Sequence, residues 1–118
     1  MKKENILSSR LLNFSVEIIK FTRFLPKEPE YIVIKHQLIK SATSSGANYH
    51  EAQSASSKAD FKNKVNIALK EMSESKYWLK IISHIYANNL NPEKLDILIE
   101  ESNQLDKILG TIVKNSKL

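Results

Sequence analysis

Apolar side chains recur along this chain in alternating steps of four and three residues, in four separate blocks. The first block runs Leu7, Leu11, Phe14, Ile18, Phe21, Leu25, with Ile6, Val16 and Ile19 widening the stripe. That spacing is the seam of a helix packed nearly parallel to its neighbours. Pro26 closes the block, because the residue before a proline is pushed out of the α region. The second block runs Tyr31, Ile34, Leu38, Ala42, Ser45, Tyr49, Ala52, large at first and small later. The third runs Phe61, Val65, Ala68, Met72, Ser75, Leu79, Ile82, Tyr86. The fourth carries Leu95, Leu98, Ser102, Leu105, Leu109, Ile112.

The punctuation between blocks sets the helix bounds. Pro29 suits a first helical turn, and Glu28 and Glu30 place negative charge at that positive end. Ser57, Lys58, Ala59, Asp60 read as a capping box, with Asp60 and Lys64 spaced to pair on the helix that follows. Asn88-Asn89-Leu90 breaks the third helix, and Asn91-Pro92-Glu93 starts the fourth. Gly110 is a weak point, so fraying after Val113 is expected. The pattern predicts helices over about 5–24, 29–55, 58–87 and 92–114. The connections are short, so neighbouring helices are antiparallel. The expected fold is all-α, an antiparallel up-down-up-down four-helix bundle in one domain over 1–118. Phe14, Phe21, Leu38, Val65, Met72, Leu79, Leu98 and Leu105 are the expected core.

Composition narrows the class. There is no cysteine, which removes disulfides and thiolate metal sites and fits a reducing cytoplasm. No apolar run approaches the ~18 residues that would cross a bilayer. No cleavable leader follows the basic start, so a soluble cytoplasmic protein is expected. The net charge is +5, with +3 on residues 1–25, zero on 26–57, +3 on 58–90 and −1 on 91–118. The excess on the first and third helices permits RNA or DNA as a partner. The candidate phosphate-binding residues are Arg10, Lys20, Arg23, Lys58, Lys62, Lys70, Lys76 and Lys80.

Chemistry adds little. A di-metal carboxylate centre in a bundle wants Glu-x-x-His pairs. The residues three before His36, His50 and His84 are Val33, Ala47 and Ile81, so no metal and no cofactor is expected. No glycine-rich phosphate loop and no strand–turn–helix serine elbow is present, and the chain does not read as an enzyme. The distinctive stretch is the polar waist. Ser41, Thr43, Ser44, Asn48 and Glu51 on the second helix stand opposite Glu71, Glu74 and Ser75 on the third, if the hairpin turns at Ser56. Either this is solvated surface, or it is a hydrogen-bonded layer fixing register or a subunit contact. Gly46 permits either a local bend or the close approach of another helix. Trp78 beside Tyr77 favours an association surface. Gly46, Asn48, Glu51, Glu71, Glu74 and Trp78 are therefore the candidate interface or polar layer, and the chain is expected to associate with itself.

These residues also carry a resemblance. The stretch SATSSGANYHEAQSASSKADFKNKVNIALKEMSESKYWLKII resembles the four-helix bundle proteins encoded in intervening sequences of bacterial 23S rRNA genes. The pattern lies at Gly46, Ala47, Asn48, Glu51, Ser57 to Phe61, and Ala68 to Leu79. Many relatives carry Ile-Pro before Ala-Asn, where this chain has Ser45-Gly46, and a glycine after the Glu, where it has Ala52. The resemblance implies a ring-like homo-oligomer, with a pentamer as the implied count. The chain is similar as well to the accessory variability protein of diversity-generating retroelements, a nucleic-acid-binding bundle with a strongly positive surface. Helix 2 here is neutral and helix 4 slightly acidic, so that surface is matched only in part. No catalytic residues are carried over.

Overall fold

The computed structural model describes residues 3–85 and 91–116, with side chains from Ile6 onward. Four helices account for most of them: α1 (Lys3–Thr22), α2 (Pro29–Ala52), α3 (Lys58–His84) and α4 (Pro92–Asn115). Each helix packs on the next, and α4 packs back on α1. Among the described residues the diagonal pairs, α1 with α3 and α2 with α4, make no backbone approach. The chain thus forms the four-helix bundle that the seams predict, with the helices in sequential order around the core.

The seams fill that core. Leu7, Leu11, Phe14, Ile18 and Phe21 of α1 are buried, as are Tyr31, Ile34 and Leu38 of α2. Val65, Ala68, Met72, Leu79 and Ile82 of α3 meet Leu95, Leu98, Leu105 and Leu109 of α4. Each fully buried Leu, Ile, Phe or Met contributes about 1.5–3 kcal/mol of transfer free energy. Tyr86, expected to continue the α3 seam, lies outside the described residues, as do Ala87 and the Asn88-Asn89-Leu90 break.

The ends differ from the sequence expectation by a few residues, each for a visible reason. At the end of α1, Arg23, Phe24 and Leu25 donate to Lys20, Phe21 and Thr22, three residues back. The chain tightens, tucks Leu25 into the core and meets Pro26. Helix α2 stops at Ala52 rather than near Ala55. There Gln53, Ser54 and Ala55 switch to the same three-residue pattern, onto His50, Glu51 and Ala52. Helix α4 continues to Asn115 across Gly110, with Leu109, Ile112 and Val113 all packed on the core. The cap of α3 is half of a capping box. Ser57 Oγ accepts from the Asp60 N–H at 3.0 Å, but Asp60 Oδ2 reaches one residue further back, to the Ser56 N–H at 3.0 Å. Asn91 Oδ1 caps α4 by accepting from the Glu93 and Lys94 N–H groups.

Candidate interaction surface

The waist of the bundle is built from hydroxyls. Ser41 of α2 and Ser75 of α3 are buried and share a 2.7 Å hydrogen bond. Ser45 Oγ donates across the same interface to the Ala68 carbonyl at 2.7 Å. Ser15 of α1 does the same to α2, donating to the Ala42 carbonyl at 3.1 Å. Among the described residues, every buried side-chain nitrogen or oxygen has a partner. Helices must approach closely for a serine to reach a neighbouring main chain, which explains the small residues of the second half of α2. Ser15 is absent from the sequence-derived candidates. Its one signal was its place four residues beyond Leu11, at the edge of the α1 stripe.

The other polar residues of this stretch of α2 bond within their own helix or face solvent. Residues 41, 45 and 52 face α3 or the core, whereas 43, 47 and 51 turn away by the 3.6-residue period. Thr43 is exposed and bonds its own helix at the Ile39 carbonyl, 2.7 Å away. Asn48 likewise donates to Ser44, to the carbonyl at 2.9 Å and to Oγ at 3.2 Å. Glu51 is exposed and does not meet the α3 carboxylates.

The six candidate interface residues therefore divide into separate places. Gly46 faces α1, where an added Cβ would lie 3.6 Å from both Cβ and the carbonyl oxygen of Leu11. Close approach of a neighbouring helix is the reading the structure supports, although an alanine would just fit. Gly46 and Glu51 border a hollow of about 560 Å3 between α1 and α2, with Leu12 and Ala47 among its walls. Leu12 is 67% exposed over it. On α3, Trp78 is partly buried against the core, and its indole N–H donates to Glu74 Oε1 at 3.2 Å. Tyr77 packs edge-on to Trp78, with ring centres 5.4 Å apart, and is itself 59% exposed. Burial lifts the Glu71 carboxyl above its ordinary value; the nearby Glu74 charge adds to this and Lys40 opposes it.

The eight candidate phosphate-binding cations are scattered rather than gathered. Arg10 forms a two-pronged pair with Glu101 of α4, at 2.6 and 3.1 Å, and also donates to Gln104. That bond holds its guanidinium above the usual protonation range. Lys76 pairs with Asp106 of α4 at 3.1 Å, beside Ser73 on the same carboxylate. Lys20 lies 3.8 Å from Glu17. Arg23, Lys58, Lys70 and Lys80 are exposed, Lys62 is half-buried, and none of these five has an ion pair among the described residues. The two basic helices lie on one diagonal, and acidic α4 stands between them.

The α1/α4 seam has its own character. Besides Arg10–Glu101, Glu17 is bound by Lys94, which together with Lys20 lowers its carboxyl pKa. A hollow of about 680 Å3 lies on one side of the Arg10–Glu101 bridge, floored by Phe14 and Leu98 and edged by Ile97, Asp96 and Glu100. A smaller one of about 180 Å3, at Ile6 and Ile108, lies on the other. Among the described residues no three metal-ligating side chains converge, and no helix is long and apolar enough to cross a membrane.

Comparison with known proteins agrees with the architecture. The sequence pattern of the 23S rRNA-intervening sequence proteins matches residues 3–111. A crystal structure from Bacteroides thetaiotaomicron, described as a protein of unknown function from the S23 ribosomal protein family, is 37% identical. It superposes with a TM-score of 0.83 over 97% of this chain and 100% of its own. No functionally curated protein matches. With the family pattern spanning all four helices, the chain belongs to the 23S rRNA-intervening sequence protein family.

Proposed function

We propose that this chain is a non-enzymatic interaction module that works as a cytoplasmic homo-oligomer, with a pentamer as the count that the family resemblance implies. The observation that carries this reading is the large apolar surface left in water. Leu12, Phe24, Ile32, Val33, Tyr77 and Ile97 are each more than half exposed. Scattered apolar side chains are ordinary on a monomer. Leu12 and Ile97, however, border open hollows beside apolar neighbours, as residues awaiting a partner do. The exposed apolar surface is not confined to the two middle helices, since α1 and α4 contribute to it. Sedimentation equilibrium or light scattering tests the proposal. The expected mass is a multiple of the chain, and a monomer at high concentration overturns it.

A second reading, RNA or DNA binding, is supported by the exposed cations Arg23, Lys58, Lys70 and Lys80, which have no ion pair among the described residues. Arg10 and Lys76 support it less, since each already serves a carboxylate. Affinity should fall steeply with salt, and binding weaker than ~0.1 mM in moderate salt removes this reading.

A further inference from the structure

The molecule is basic overall, yet one groove is acidic. Along α1/α4, Glu17, Asp96, Glu100 and Glu101 outnumber Arg10 and Lys94. Glu17 and Glu101 are occupied by those two cations, which leaves Asp96 and Glu100 as exposed charge at the rim. Between the charges lie Ile97, 61% exposed, and the floor of Phe14 and Leu98. The groove thus has an apolar bed and a negative edge.

The complement is on the same chain. Ile67, Lys70, Glu74, Tyr77 and Ile81 fall at steps of three and four on the outer side of α3, one stripe of a helix. Ile67 and Tyr77 are exposed apolar side chains. Lys70 and, at the stripe's edge, Lys80 are exposed cations without an ion pair among the described residues. Glu74, held by the Trp78 indole N–H, keeps its charge within the stripe, and Lys70 and Lys80 together outweigh it. The apolar anchors Ile67, Tyr77 and half-buried Ile81 lie at i, i+10 and i+14, on the one helical side that a helix presents to a groove, with Lys70 between them. Because α1 and α3 are diagonal partners, the ridge and the groove face different directions, so one molecule cannot satisfy itself.

We infer that the outer ridge of α3, through Ile67, Lys70, Tyr77 and Lys80, docks in the α1/α4 groove of a second copy, against Asp96, Ile97 and Glu100. This rests on the homo-oligomer reading and specifies its geometry. The contact is heterologous, head to tail, and such contacts close into rings when the rotation per subunit permits. Opposite charge at the rim supplies register and excludes the reverse pairing of groove with groove.

Charge reversal separates this inference from the reading beneath it. Two variants of the full chain are made, Asp96→Lys/Glu100→Lys in the groove and Lys70→Glu/Lys80→Glu on the ridge. All four positions are exposed, and circular dichroism checks that each variant folds. Each alone should fall to the mass of a single chain. Alone, each offers its own kind only like-charged surfaces; mixed, each offers the other surfaces of opposite sign. The unreversed ridge of the first should enter the unreversed groove of the second, and the reversed ridge of the second should enter the reversed groove of the first, so the mixture should build alternating species heavier than a single chain. All four substitutions in one chain should restore the wild-type mass. If the wild type assembles but the variants keep its mass, the ridge and groove are not the contact and only this inference falls. If the wild type is itself a single chain at high concentration, the oligomer reading falls with it.

Discussion

Two seams of the same bundle are joined by different physics. Helices α2 and α3 meet through small residues and hydroxyls, with Ser41, Ser45 and Ser75 wholly buried and every bond completed within the protein. Helices α1 and α4 meet through long charged side chains, Arg10 to Glu101 and Lys94 to Glu17, with a hollow on either side of the Arg10 bridge. The first arrangement removes water and depends on fit. The second keeps water close, so its attraction is screened by salt and its energy is small. The α2/α3 seam should therefore hold the fold, and the α1/α4 seam should be the one that yields first.

The largest effect should come from removing volume at the first seam. Met72→Ala, at a fully buried position, should cost about 2–5 kcal/mol in urea unfolding. A loss near that of a surface substitution would mean the waist is loosely packed. Ser45→Ala comes next, because it deletes one buried hydrogen bond while the Ala68 carbonyl keeps its place in α3; a loss of about 1 kcal/mol is expected. Gly46→Ala should act in the opposite direction. The new methyl makes ordinary contact with Leu11 and the helix gains propensity, so stability should rise by up to about 1 kcal/mol. A decrease would show that α1 and α2 are closer in solution than the 3.6 Å separation implies.

At the second seam, a double-mutant cycle on Arg10→Ala and Glu101→Ala should give a coupling below about 1 kcal/mol, shrinking further in high salt. A coupling that ignores salt would place the pair out of reach of water. The smallest contrast is in pH. Glu17 is held below the ordinary carboxyl range, chiefly by its bond to Lys94. Its contribution is present above the unfolded-state value and is lost as pH falls through the lowered folded value. Glu71 is shifted the other way by burial. Its penalty is absent in acid and grows as pH rises through the raised folded value. Urea midpoints followed from about pH 7 to about pH 3 should therefore fall less in Glu17→Gln than in wild type, and more in Glu71→Gln, which begins higher. Parallel curves for all three would overturn both assignments.

The seams show where sequence reading is strong. A step of four and three reports which side of a helix is buried, and Leu11, Phe14, Leu38, Met72 and Leu105 lie where that rule puts them. Proline, asparagine and serine signals near the helix starts were equally readable, since caps are local. The candidate site was less legible. Spacing cannot say which neighbour lies beside a given face, so Gly46 and Trp78, joined in one expected surface, belong to different sides of the bundle. Nor can it pair Arg10 with Glu101, which are 91 residues apart. The helix ends ran short for another reason: Gln53, Ser54 and Ala55 have no structural bar to helix and stop only because the turn into the Ser57 cap requires it.

Ser15 and Ser45 each end on a main-chain oxygen of the adjoining helix, at Ala42 and Ala68. Such an acceptor belongs to the peptide, and no exchange of side chain can delete it. The rivets at these crossings thus depend on one partner only, the serine, and on the other helix merely staying slender enough to come near. Two chains of this kind could drift apart at most positions and still be fastened in the same register.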